Sequence, residues 1–103
     1  MILATVYSIN NVPIRLTDER WEHIVDRHPY MTTYYETMLA AVEGPEYILR
    51  GQRGTLQAVV SLSRRAFLHV MYRELHSDDG FIISAYIKPR LNRRLIIWRA
   101  KDQ

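Results

Sequence analysis

Histidine, lysine, arginine and serine are the residue types of this chain whose side chains could act on a substrate. His23 and His28 lie in one predicted helix, whereas Ser84, Lys88 and Arg90 lie in or just after a predicted strand. An imidazole exchanges protons near neutral pH, and fixed cations stabilise the charge that builds up around phosphorus. These residue types favour cleavage of a phosphodiester in which a neighbouring hydroxyl is the nucleophile.

Other chemistries find little support in the sequence. His23 and His28 are five residues apart, about 140° around a helix, so they are poorly placed to bind one metal ion. The chain has no cysteine, no Walker loop and no dinucleotide fingerprint, and Ser84 lacks the glycine-flanked elbow of a hydrolase serine. We therefore expect no metal and no cofactor.

Both helix histidines allow a structural interpretation as well as a catalytic one. His28 follows the apolar stripe of its helix and should point toward the sheet, either as a catalytic imidazole or as a structural histidine at the helix C-terminus. His23 lies beside Arg20 and Arg27, which also suits a solvated ion-pair role. Lys88 lies close to Arg90 in the densest basic stretch of the chain, which favours a role in binding a phosphate group.

The charges are unevenly distributed along the chain. The net charge is −4 over residues 1–46 and +8 over residues 47–101, and arginine outnumbers lysine twelve to two. An arginine-rich genome could produce this bias, but the split favours a polyanionic partner, and the arginine fork matches phosphate. The predicted nucleic-acid-binding residues are Arg50, Arg64, Arg65, Arg73, Tyr86, Arg93 and Arg94.

The hydrophobic period changes once, near Pro45, from that of helices to that of strands. Thr17 should cap the first helix and Pro29 should end it. The predicted helices are 18–28 and 33–43; short strands are expected within 5–16, and further strands at 46–50, 55–62, 67–74, 81–88 and 95–100. The pattern predicts a single α+β domain, 1–103, with two N-terminal helices packed on a four- to five-stranded antiparallel sheet.

Alternation along the strands predicts which side chains share a face of the sheet. The face toward the helices should carry Leu56, Ala58, Val60, Leu62, Leu68, Val70, Tyr72, Phe81, Ile83, Ala85 and Ile87. The opposite face should carry Gln57, Ser61, His69, Met71, Arg73, Ser84, Tyr86 and Lys88. This second set is rich in groups that bind or transform phosphates.

The absence of cysteine is compatible with a reducing cytosol, and no apolar run approaches the length of a membrane helix. We therefore expect a cytoplasmic protein without a membrane partner. The sequence does not indicate an oligomeric state.

Four short motifs occur in a characteristic order: Leu16–Ile24, Arg27–Pro29, Gly44–Ile48 and Phe81–Tyr86. This order, over about residues 14–98, resembles small phage- and bacterium-borne proteins of the barnase–EndoU–colicin–RelE superfamily of metal-independent ribonucleases. A strand that ends in Ile-Ser-Ala before a basic run is also similar to BrnT-like toxins. The resemblance implies a helix pair on an antiparallel sheet with RNA on the exposed face. It matches His28 and His23 to the helix histidines, Ser84 to the strand hydroxyl, and Lys88 with Arg90 to the basic tail.

The sequence thus predicts a metal-independent endoribonuclease, toxin-like or phage-associated, that leaves a 2′,3′-cyclic phosphate. Its expected partners are RNA (tRNA or mRNA) and an antitoxin protein. The alternative is a small domain that binds nucleic acid or an antitoxin without catalysis.

Overall fold

The computed structural model describes residues 1–101, which form seven β-strands and two α-helices connected by short 3-10 segments. The predicted domain 1–103 includes residues 102 and 103, which lie outside the described range. The strands are β1 (Ile2–Tyr7), β2 (Pro13–Thr17), β3 (Tyr47–Arg50), β4 (Leu56–Ser63), β5 (Ala66–His76), β6 (Asp79–Lys88) and β7 (Ile96–Arg99). The helices are α1 (Asp18–Arg27) and α2 (Tyr35–Glu43), with 3-10 segments at Pro29–Tyr34, Gln52–Gly54 and Arg93–Leu95.

All described strands belong to one sheet, in the order β1-β2-β6-β5-β4-β3-β7. Strands β3 to β6 follow one another as an antiparallel meander, as their short connections require. β1 and β2 form an antiparallel hairpin, and β7 returns beside β3. The one parallel pair among the described strands joins Ile14 and Arg15 of β2 to Gly80 and Phe81 of β6.

The predicted fold class is therefore wrong in three respects. The sheet has seven strands rather than four or five, it is mixed rather than antiparallel, and the helices lie between β2 and β3 rather than at the N-terminus. The chain crosses one face of the sheet through both helices before β3 begins. The β1–β2 hairpin can therefore lie along β6, at the far end of the meander from β3.

The two helices cover one face of this sheet, here called the helix face. Thr17 caps α1, since its hydroxyl accepts a hydrogen bond from the Arg20 amide at 3.2 Å. Ile24 of α1 and Met38 and Val42 of α2 are fully buried against strand residues such as Val70. This layer forms the main hydrophobic core.

A β-bulge changes which side chains of β6 face the helices. Met71 pairs with Ser84, but the next residue of β5, Tyr72, pairs with Ile82, so Ile83 is an extra residue. Ile82 and Ala85 join the main core. The assignment of Phe81 and Ile83 to the helix face is therefore wrong, because strict alternation fails at a bulge.

The opposite face, here called the second face, is partly covered by the chain's own C-terminal segment. Tyr47, Leu49 and Val59 form a small second core there, against which Leu91 and Leu95 pack. Val59 is fully buried. Only part of the second face is therefore accessible to a ligand.

Candidate active site

The second face is organised as cross-strand rows. The strand register aligns Ser61, Phe67 and Lys88 in one row, Val59, His69 and Tyr86 in the next, and Gln57, Met71 and Ser84 in the third. Directly opposed side chains in such rows are in contact, whereas successive rows are two residues apart along each strand. Lys88, Tyr86 and Ser84 therefore follow one another along β6.

His28 reaches this face from the end of α1. Its backbone amide donates to the Ile24 carbonyl at 2.8 Å, which closes the last turn, and Pro29 prevents the helix from continuing. The His28 ring lies against Tyr86, with 5.9 Å between the ring centroids and 49° between the planes. The side chain is half-buried, so it remains accessible to a ligand.

Tyr30 holds the end of α1 against β6. Its hydroxyl oxygen accepts a hydrogen bond from the Ile87 amide at 3.0 Å and lies 3.3 Å from Nδ1 of His28. The Ile87 amide is free to donate to Tyr30 because β2 pairs with β6 only at Gly80 and Phe81 and so does not reach Ile87. A single phenol therefore links the unpaired edge of β6 to the imidazole.

His69 also packs against Tyr86. The two rings are stacked, with centroids 5.5 Å apart and planes within 16°. Nδ1 of His69 lies 3.0 Å from the Phe67 carbonyl oxygen, which can only accept, so Nδ1 carries the proton. His69 is 4% exposed. Burial lowers the pKa of His69, the Phe67 hydrogen bond raises it, and the nearby Lys88 charge lowers it, for a net decrease.

Lys88 completes the group, with its ammonium nitrogen 5.1 Å from the centroid of the Tyr86 ring. This is within the range of a cation–π interaction. Burial raises the pKa of Tyr86, so the phenol keeps its proton at neutral pH. We call His28, Tyr30, His69, Tyr86 and Lys88 the His–Tyr cluster.

Three predicted catalytic residues lie outside the cluster. Ser84 is on the same face but one row farther along β6, opposite Met71. Arg90 is exposed and follows β6. His23 is exposed and lines a shallow depression with Thr17, Glu19 and Arg20, at the other end of α1. The structure thus brings together His28 and Lys88 but not His23.

The predicted RNA-binding arginines occupy three places instead of one surface. Arg64 and Arg65 form the turn between β4 and β5, at the Lys88 end of the sheet, and both are exposed. Arg50 and Arg73 line a cleft at the opposite end. Arg93 and Arg94 belong to the segment that covers the second core; Arg93 lies over the Tyr47 ring and the Arg94 amide donates to Asn92.

The cleft has a volume of about 560 Å³. Arg50, Arg53 and Arg73 supply its charge, and none of its lining residues is acidic. Arg53 was not among the predicted site residues, and neither were His69 and Tyr30. The alternation of β5 put His69 on the correct face, but only the register brings it opposite Tyr86.

Within residues 1–101, no three histidine or carboxylate side chains are grouped so that they could hold a metal ion. No helix in this range is both long and apolar enough to cross a membrane. Comparison of the chain with protein-family models, with curated proteins and with solved structures found no match.

Proposed function

We propose that this protein is a metal-independent endoribonuclease whose active site is the His–Tyr cluster. The observation that carries the proposal is the meeting of His28, Tyr86 and Lys88 at the end of β6. An accessible imidazole, a protonated phenol and an ammonium group are sufficient for transfer of a phosphodiester to a neighbouring hydroxyl. The basic residues at both ends of the second face support a polyanionic substrate.

In the proposed reaction, His28 accepts the proton of a ribose 2′-hydroxyl, whose oxygen attacks the adjacent phosphorus. Lys88 stabilises the negative charge on the pentacoordinate phosphorus. The bond from phosphorus to the 5′-oxygen then breaks, and the Tyr86 hydroxyl donates a proton to the leaving oxygen. The products are a 2′,3′-cyclic phosphate and a 5′-hydroxyl, and proton transfer from His28 to the Tyr86 phenolate restores the enzyme.

His69 is a positioning residue in this proposal. It is too deeply buried to meet the substrate, but its ring lies flat against Tyr86. Because the pKa of His69 is lowered, the imidazole stays neutral beside Lys88 and does not repel the ammonium group. The stacking fixes the orientation of the Tyr86 ring that both His28 and Lys88 approach.

The proposed substrate is RNA in the cytoplasm, either tRNA or mRNA, because only RNA carries the 2′-hydroxyl. Membership of the barnase–EndoU–colicin–RelE superfamily and binding of an antitoxin remain part of the same proposal. The order of the motifs around His28 and Ser84 supports that part.

The test is cleavage of a single-stranded RNA oligonucleotide in the presence of EDTA. Lys88→Ala should lower the rate by roughly a hundredfold, and His28→Gln by roughly a hundredfold to ten-thousandfold. His76→Ala is the matched control, since His76 is an exposed imidazole at the β5–β6 hairpin. Thermal melts establish that each variant is folded.

A second substrate separates this chemistry from that of a contaminating nuclease. A 2′-deoxy substitution at the cleaved position should abolish cleavage there, and the products of the unmodified RNA should carry a cyclic phosphate. If folded His28→Gln and Lys88→Ala cleave RNA as His76→Ala does, the proposed active site is wrong.

The second candidate function is binding of single-stranded RNA without cleavage, which the arginine-lined cleft favours. A mobility shift of intact RNA that is lost at high salt, with no cleavage by the wild-type protein, would support this function instead.

A further inference from the structure

The cleft between the β3–β4 loop and β5 is a site that the reaction proposed above does not use. Its charge comes from three arginines on three different elements: Arg50 ends β3, Arg53 lies in the loop and Arg73 lies on β5. These three arginines produce a strong local positive potential, because no carboxylate lines the cleft to neutralise their charge. Such a site suits a phosphate group.

The loop that carries Arg53 is held in one shape. Arg53 and Gly54 both have positive φ values, 56° and 78°. The Thr55 hydroxyl donates to the Gln52 carbonyl at 2.7 Å, and the Arg73 guanidinium donates to the Arg53 carbonyl. The backbone of the loop and the Arg73 guanidinium are therefore organised before a ligand arrives, which lowers the entropy cost of binding.

A glycine at the start of the loop is required by this shape. A Cβ on Gly51 would lie 2.1 Å from Oγ1 of Thr55 and 3.1 Å from the Thr55 carbonyl oxygen. The close approach of these two residues closes the loop, since the Gly51 amide donates to that carbonyl at 2.9 Å. The loop is thus a tightly built wall of the cleft.

The cleft also has apolar lining residues, Met71 and Leu95, and a volume of about 560 Å³. This volume is in the range of cavities that hold small organic ligands and is far more than one phosphate needs. A nucleotide matches both features, since its phosphate would meet the arginines and its base would contact Met71 and Leu95. We infer that this cleft is a nucleotide subsite for a position of the RNA strand remote from the cleaved bond.

The strand register gives the separation of the two sites. Arg73 and His69 are four residues apart on β5, which is about 13 Å along an extended strand. This is more than the spacing of consecutive phosphates in a nucleic acid strand. The cleft would therefore hold a nucleotide beyond the immediate neighbours of the cleaved bond and would favour longer RNA over a dinucleotide.

The direct test is calorimetric titration with adenosine 5′-monophosphate and, separately, with inorganic phosphate. Arg50→Ala and Arg53→Gly should each weaken nucleotide binding by about tenfold, the effect of losing one charge-assisted hydrogen bond. Glycine is chosen at position 53 because it adopts the positive φ without strain. Lys101→Ala removes the same charge at an exposed position outside the cleft and should bind as the wild type does.

Binding of the nucleotide no tighter than inorganic phosphate would overturn the assignment of a base-contacting subsite. Equal nucleotide affinity in Arg53→Gly, Arg50→Ala and Lys101→Ala would overturn the site altogether. Neither result depends on catalysis, so the subsite can stand even if the ribonuclease proposal fails.

The role in substrate length rests on the proposed function and needs its own readout. Wild-type protein should cleave an RNA hexanucleotide with a higher kcat/KM than a dinucleotide, and Arg53→Gly should reduce that preference by raising KM for the hexanucleotide. An unchanged preference in Arg53→Gly would mean that the cleft does not contact the cleaved strand.

Discussion

The imidazole of His69 is stacked on the ring of Tyr86, with 5.5 Å between the two centroids, and Nδ1 of His69 donates a hydrogen bond to the Phe67 carbonyl oxygen. The two residues are directly opposed across β5 and β6, in the row that also contains the fully buried Val59. A buried neutral histidine therefore supports the phenol that the proposed reaction uses.

The first prediction concerns the pH dependence of stability. Burial lowers the pKa of His69 in the folded protein, so between that lowered pKa and the ordinary value of 6.5 the unfolded chain binds more protons. The contribution of His69 to the free energy of unfolding is therefore complete above 6.5 and falls as the pH drops toward the lowered pKa. Urea denaturation between about pH 7.5 and pH 5 measures it.

His69→Phe should keep the stacking with Tyr86 but lose this contribution, so its stability should fall less on acidification than that of the wild type. Since other groups also titrate, the comparison is made between proteins at each pH. His76→Ala, the exposed control, should fall as much as the wild type. An identical pH profile for His69→Phe would contradict the assignment.

The second prediction concerns the junction of β2 with β6. A Cβ on Gly80 would lie 2.5 Å from the Arg73 carbonyl oxygen and 2.5 Å from Cδ1 of Ile14. Gly80→Ala should therefore lower the free energy of unfolding by about 1–3 kcal/mol, the usual cost of overpacking. For a chain of this size, a loss of 1 kcal/mol lowers Tm by about 4–8 °C.

Gly44→Ala is the control for this change, because a Cβ at Gly44 has no neighbour nearer than the Ala40 carbonyl oxygen, at 4.0 Å. The same substitution there should leave Tm unchanged or raise it slightly, since alanine restricts the unfolded chain. Equal melting temperatures for the two variants would mean that β2 does not pack against β6 as described.

The third prediction concerns the salt dependence of RNA binding. Basic residues lie at both ends of the second face, with Arg64 and Lys88 at one end and Arg53 and Arg73 at the other. A strand that contacts about four to six phosphates should lose roughly a hundredfold in affinity between about 50 and 200 mM salt. Fluorescence anisotropy with an uncleavable 2′-O-methyl RNA measures this slope, and a flat response would exclude nucleic acid as the partner.

The sequence carried enough information for the individual elements but not for their assembly. Alternation in β5 placed His69 and Arg73 on the second face because the strand is regular there. The β2–β6 pair rests on Ile14 and Arg15 alone, more than sixty residues from their partners, and no local pattern encodes that contact. Short strands were expected within 5–16, but the predicted four- to five-stranded antiparallel sheet included neither their pairing with β6 nor a parallel pair.

In the candidate site, too, the sequence indicated positions along the chain but not which side chains meet. The positions of His28 at the end of α1 and of Lys88 at the end of β6 could be predicted, because each occurs beside a proline that ends its element. The role of His69 depends on which residue of β6 lies opposite it. The covering of the second face by Leu91 and Leu95 depends on the path of a segment whose apolar residues are few and far apart.

The final prediction tests whether Tyr30 positions His28. Its hydroxyl accepts the Ile87 amide hydrogen bond and lies within hydrogen-bond distance of Nδ1 of His28, so Tyr30→Phe removes both contacts without removing the ring. A less firmly oriented base should lower kcat for RNA cleavage by about tenfold to a hundredfold, with little change in KM.

Tyr7→Phe is the control, since it removes an exposed hydroxyl on β1 and should change neither kcat nor KM. The amide resonance of Ile87 should shift in Tyr30→Phe alone, which confirms loss of the bond independently of activity. If Tyr30→Phe shows that shift but cleaves RNA with the kcat of Tyr7→Phe, the phenol stabilises the edge of β6 and does not position the base.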